Sequence, residues 1–147
     1  MMEIVVTSTP PGGFNKIVDA TKEAIALSLK YTAANAWENL KKEAPKDEGF
    51  GAGSLQLVKN NDLEWKIFSS MEYMYYANSG TKPHYAPWGP IKRWAERHNR
   101  PPFPIWYGIL MKGTKANKYV DRALEQTQSR IDDFIKRAMR ETLPVTI

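Results

Sequence analysis

The chain has no cysteine and two histidines, and no apolar run approaches the roughly 20 residues that cross a bilayer. Without cysteine there are no disulfides, thiolate metal ligands or thiol nucleophiles. His84 and His98 flank a proline-rich break rather than sharing a helix face, and no carboxylate stands at a third-ligand spacing, so no metal is expected. Ser70 or Ser79 could be paired with His84, but neither lies in a nucleophile elbow or an ordered triad. Asp47-Glu48 and Asp132-Asp133 lie in charge-mixed, solvated surroundings with nothing to raise a carboxyl pKa. The N-terminus, Met1-Met2-Glu3-Ile4-Val5-Val6, lacks the basic start and apolar length of a signal peptide. These absences argue against an enzyme and against a cofactor, and lead to the expectation of a soluble interaction or structural protein.

What is present is a folded domain's complement of large apolar groups. Five Trp, seven Tyr and five Phe in 147 residues are too many for a chain that stays disordered. That length suits one domain, 1–147, burying about 70% of its unfolded surface. Charge is uneven. The net is +5, yet residues 81–118 hold eight Lys/Arg against one acid, Glu96, which leaves the rest of the chain slightly negative.

Periodicity predicts the elements. Residues 3–9 are rich in β-branched side chains and end at Pro10-Pro11-Gly12-Gly13, as a short strand does. Residues 15–43 contain neither Gly nor Pro and form a long amphipathic helix stopped by Pro45. Its first apolar row is Val18, Ile25, Leu29, Ala36 and Leu40. A second row (Ala20, Ala24, Leu27, Tyr31, Ala34, Trp37) makes the stripe wide enough for either two intramolecular neighbours or a subunit interface. Gly49, Gly51 and Gly53 describe a mobile loop at 45–53. A hairpin follows, 55–59 and 63–68 around Asn60-Asn61-Asp62, and the aromatic run 73–78 reads as a third strand. After three prolines the chain is expected to turn helical again near Ile91, with a further helix over 103–111. Asn117 is read as the N-cap of one long terminal helix, and 143–147 as a short tail. The fold class expected is α+β, a small antiparallel sheet of three or four strands packed against long N-terminal and C-terminal helices.

Two Gly-Thr-Lys triplets, Gly80-Thr81-Lys82 and Gly113-Thr114-Lys115, bracket the basic, proline-rich segment. Neither has the spacing or strand-to-helix context of a phosphate loop. Their order along the chain is informative: Pro45-Lys46-Asp47-Glu48-Gly49, then Gly53-Ser54-Leu55, then the aromatic run into Gly80-Thr81, then Gly113-Thr114-Lys115-Ala116 opening the final helix. This order resembles the gene-ten-like neck and tail-completion proteins of long-tailed, lambdoid bacteriophages, over roughly residues 14–140. The sequence departs from that pattern at Glu48, Gly51, Asn78 and Met111-Lys112.

The resemblance implies a virion structural protein, assembled in the host cytoplasm, that forms a ring of several copies, six being expected. The ring would complete or terminate the tail and meet the tail tube protein and the head connector or stopper proteins. The residues expected to carry interaction are Asp47, Gly49 and Ser54 in the loop; Gly80, Thr81 and His84 after the aromatic run; and Gly113, Thr114 and Lys115 before the final helix. Lys92, Arg93 and Arg97 join them as the basic patch. An alternative rests on that patch alone: Lys92, Arg93, Arg97 and Arg100 beside Tyr85, Trp88 and Trp94 are the residue types of a nucleic-acid-binding module. For each glycine the plainer reading is a turn or helix stop rather than a contact.

Overall fold

The computed structural model describes residues 2–7, 18–46 and 49–142. Asp47, the Pro10–Gly13 breaker cluster and the 143–147 tail lie outside them. The fold is α+β, as expected. Its contacts divide the chain into two compact units, Met1–Met74 with Tyr119–Ile147, and Tyr75–Lys118.

The first unit is built on a three-stranded antiparallel sheet of β1 (Met2–Thr7), β2 (Leu55–Asn61) and β3 (Glu64–Ser69), in the order β1-β3-β2. Register runs Met2↔Ser69 to Thr7↔Glu64 on one side of β3, and Leu55↔Ser69 to Asn61↔Glu64 on the other, with an irregularity between Lys59 and Asn61. Leu63 belongs to the turn instead of the strand, its N–H donating to Asn61 Oδ1 at 2.8 Å. Ile67 sits at the centre of the buried face, with Met2, Leu55 and Ser69 also buried.

Against the sheet lies α1 (Val18–Glu43). Within the unit α1 also packs against α6 (Tyr119–Gln128) and α7 (Ile131–Thr142). Ala33, Ala36 and Leu40 are fully buried between them, and Trp37 donates its indole N–H to Leu55 O at 2.9 Å. Of the two apolar rows, Ala24, Leu29, Ala36 and Leu40 are buried within the unit, while Ile25, Leu27, Tyr31, Ala34 and Trp37 stay half-exposed. Alanines in the middle of α1 let neighbouring elements approach closely, which a row of larger side chains would prevent.

Four expectations are corrected. Residues 73–78 are not a third strand but part of α3 (Glu72–Ser79). Aromatic content favours a strand, yet Met74 is buried while Tyr75 and Tyr76 are both exposed, which breaks a period of two. Gly80, at φ 73°, closes the helix with its N–H on Tyr76 O. The terminal helix is two helices, α6 and α7, because Ser129 turns its hydroxyl back to Gln126 O at 2.7 Å and Arg130 N–H bonds Thr127 O. Because α6 begins at Tyr119, the N-cap position falls on Lys118, at φ 57°, and not on Asn117. Finally, α4 (Trp88–Arg97) starts before Ile91, since Pro90 falls in a first turn whose N–H groups have no intrahelical acceptor.

The expected loop at 45–53 contains a single helical turn, α2 (Phe50–Gly53). Gly51 is buried there, with the Tyr73 hydroxyl and Met74 sulfur 2.5 and 2.7 Å from where a Cβ would stand. Ser54 fixes this turn to the sheet. Its hydroxyl donates to Gly51 O at 2.6 Å, so it must accept from Ser69 Oγ, also at 2.6 Å, and Ser69 Oγ in turn accepts from Met71 N–H at 3.1 Å. Each hydroxyl in this chain is used once as donor and once as acceptor.

Candidate interaction surface

The second unit is an excursion of the chain whose two ends are stitched together. Ala77 O accepts from Asn117 N–H at 3.0 Å and Asn78 O from Lys118 N–H at 3.1 Å. Next along the chain, the two Gly-Thr-Lys triplets pair with each other. Thr81 and Thr114 form an isolated antiparallel bridge, with Thr81 N–H on Thr114 O at 3.0 Å and Thr114 N–H on Thr81 O at 3.2 Å. Their hydroxyls lie 2.9 Å apart, and Thr114 N–H also reaches Thr81 Oγ1 at 3.0 Å.

Glycine is required on both sides of this clasp. Gly80 and Gly113 have φ of 73° and 77°, where a Cβ is disfavoured. A Cβ on Gly113 would stand 2.0 Å from Thr81 O, and one on Gly80 2.6 Å from Thr114 O. Backbone atoms cannot yield as a side-chain tip can. Lys82 and Lys115 leave the clasp exposed to solvent.

Between the clasped ends run the proline-rich segment 82–87, α4, and α5 (Pro102–Lys112). His84 is fixed in that segment by its N–H on Ile109 O at 3.3 Å and by Nδ1, which shares a proton with Lys82 O at 2.9 Å. A carbonyl only accepts, so Nδ1 carries the proton. Neither Ser70 nor Ser79 hydrogen-bonds His84 among the described residues. His98 is held in the same way by Trp94 O at 2.8 Å and stacks on the Trp94 ring at 4.1 Å. Among the described residues no group of three or more His, Asp or Glu side chains is placed to hold a metal ion.

The main feature of the unit is aromatic. Trp106 donates its indole N–H to Ala86 O at 2.9 Å, and this fixes its ring as a pedestal. Tyr85 and Trp88 meet it edge-on, at 5.7 and 6.2 Å between centroids, and Phe103 lies tilted at 6.1 Å. Tyr107 stacks on Phe103 at 6.0 Å. The outer rings stay in water: Tyr85 is 72% exposed, Phe103 60%, Tyr107 49% and Trp88 42%. Although α5 is the sequence PFPIWYGILMK, none of its residues is buried.

Lys92, Arg93 and Arg97 are all exposed on α4. Lys92 stands one turn after Trp88 and pairs weakly with Glu96 at 3.9 Å, while an Arg93 guanidinium nitrogen lies 3.6 Å from the Cβ position of Gly89. Thus Gly80, Thr81, Gly113 and Thr114 come together as a clasp, and His84, Lys92, Arg93, Arg97 and Lys115 share its unit. Gly49 and Ser54 belong to the other unit, where Gly49, at φ 82°, opens α2. The sequence reading missed Phe103, Trp106 and Tyr107 as part of this surface. Trp106 and Tyr107 stand three and four residues after Phe103, on one helix face, and the absence of any charge in α5 before Lys112 is the signal that could have found them.

No protein-family model, curated protein or solved structure matches the chain.

Proposed function

We propose that this chain is a virion structural protein of a tailed phage or prophage, present in several copies, six being expected, as a ring at the head–tail junction. The ring completes or terminates the tail and lets it join the filled head. Supporting this reading is the order of motifs from Pro45 to Ala116. The single observation that carries it is the clasp. The two short motifs by which the chain resembles that family, 33 residues apart, are hydrogen-bonded to each other, so their glycines and threonines serve one structural purpose. Chance occurrence of two unrelated triplets gives no reason for such pairing.

The chemistry of the surface fits a subunit rather than a catalyst. Phe50 and Tyr73 near the α2 turn, and Leu124, Ile135 and Met139 on α6 and α7, are apolar and exposed in the first unit. Such residues supply the apolar centre of subunit contacts, and the rim charges around them set orientation. Gene interruption followed by electron microscopy tests the proposal. Filled heads beside unjoined or abnormally long tails are expected, and intact, normally joined virions would rule it out.

A further inference from the structure

The second unit combines two unmet needs. It holds eight Lys/Arg and one acid, and that acid, Glu96, is already shared with Lys92. Among the described residues Lys82, Arg93, Arg100, Lys112, Lys115 and Lys118 have no carboxylate partner. The same unit holds four aromatic rings in water, three of them against a fixed Trp106 pedestal and Tyr107 stacked on Phe103. Uncompensated positive charge calls for an anion, and exposed rings call for flat apolar faces. A chain of phosphates bearing unpaired bases offers both at a short, regular spacing.

We infer that the second unit binds single-stranded nucleic acid. Cations of α4 and of the clasp's lysines take the phosphates, and bases stack on Tyr85, Trp88, Phe103 and Tyr107. The first turns of α4 place the two kinds of contact side by side, with Trp88 and Lys92 four residues apart on one helix face. A duplex is disfavoured because its base faces are covered by stacking and would leave the rings idle. An acidic protein surface answers the charge, but offers no repeated flat rings. Tying Trp106 to Ala86 O lowers the entropy lost when the outer rings order on a ligand. Such binding by the second unit is independent of the place of the chain in a virion.

The test is fluorescence anisotropy with the full chain and a labelled oligothymidylate of about a dozen nucleotides, within the range one such surface covers. A duplex of equal length and poly-glutamate serve as competitors. We expect the single strand to bind at least about tenfold more tightly than the duplex, with log K falling linearly against log salt by about 0.7 per phosphate neutralised. Tyr85→Ser and Tyr107→Ser should each weaken binding roughly tenfold at unchanged salt slope, as loss of a stacked base does. Lys92→Gln with Arg93→Gln should instead flatten the slope. Both tyrosines are exposed, and circular dichroism melts check that the variants remain folded. Absence of binding at low salt, equal binding of duplex with no effect of the ring variants, or competition by poly-glutamate as strong as by unlabelled oligothymidylate each overturns the proposal. The last result would point to an acidic protein partner.

Discussion

Thr81 and Thr114 hold each other by a reciprocal pair of backbone hydrogen bonds at 3.0 and 3.2 Å, with their hydroxyls 2.9 Å apart. Each threonine follows a glycine with positive φ, and each glycine lies against the other strand's backbone. The repeated Gly-Thr therefore encodes a two-sided clasp.

Gly113→Ala should open it. A Cβ 2.0 Å from Thr81 O, on a residue at φ 77°, forces the strands apart at a cost of about 2 kcal/mol or more. Hydrogen exchange should then accelerate at the amides of Thr81, Thr114, Asn117 and Lys118. Gly53→Ala is the control, since its Cβ meets nothing within 4 Å and should change stability by no more than about 0.5 kcal/mol. Equal behaviour of the two variants would refute the clasp.

The serine chain under α2 makes a second prediction. Ser54→Ala removes the donor to Gly51 O and the acceptor for Ser69 Oγ together, so it should cost about 1–3 kcal/mol in urea unfolding. Because Ser69→Ala breaks the same link, the double variant should cost less than the sum of the singles. Strict additivity would mean the two hydroxyls act independently.

Tyr119 is fully buried, and its hydroxyl donates to Met74 O at 3.0 Å. Burial, and then the nearby Tyr73, push its phenol from 10.0 up to about 12. A folded-state value above the unfolded one means that this stabilisation is complete below about pH 10 and is lost as pH rises toward 12. In an ultraviolet phenolate titration, a late step should therefore coincide with unfolding, and should disappear in Tyr119→Phe. A Tyr119→Phe trace identical to that of the parent chain would assign the late step elsewhere.

Glu43 links α1 to α6. The Arg122 guanidinium at 2.8 Å, and then the Gln126 amide at 2.9 Å, lower its pKa below the ordinary 4.5. A depressed carboxylate stabilises the fold above its unfolded value and loses that contribution as pH falls through its folded one. Melting temperatures of Glu43→Gln and the parent should thus differ near neutral pH and converge in acid below pH 4.5. Added salt should narrow the gap at neutral pH, since the pair is partly exposed. A gap that persists unchanged in acid would show that charge is not its source.

Much of this architecture was legible in the residues alone. The absence of Gly and Pro over 15–43 marked the helix described as α1 over Val18–Glu43, alternation around Trp65 and Ile67 marked the hairpin, and the breakers at Pro45, Pro101 and Gly113 bounded the helices, because backbone sterics act locally. The concentration of positive charge in 81–118 was likewise plain from composition. Long-range partnership was not. Residues 73–78 have the composition of a strand, and only burial of Met74 and termination at Gly80 make them helical. The α6–α7 break depends on hydroxyls bonding back to carbonyls. That Gly80-Thr81 meets Gly113-Thr114, that Ser54 shares a proton with Ser69, and that Trp106 meets Tyr85 and Trp88 are decisions of tertiary structure. Each depends on groups many residues apart reaching hydrogen-bonding or van der Waals distance, and local sequence carries no record of that distance until the chain has folded.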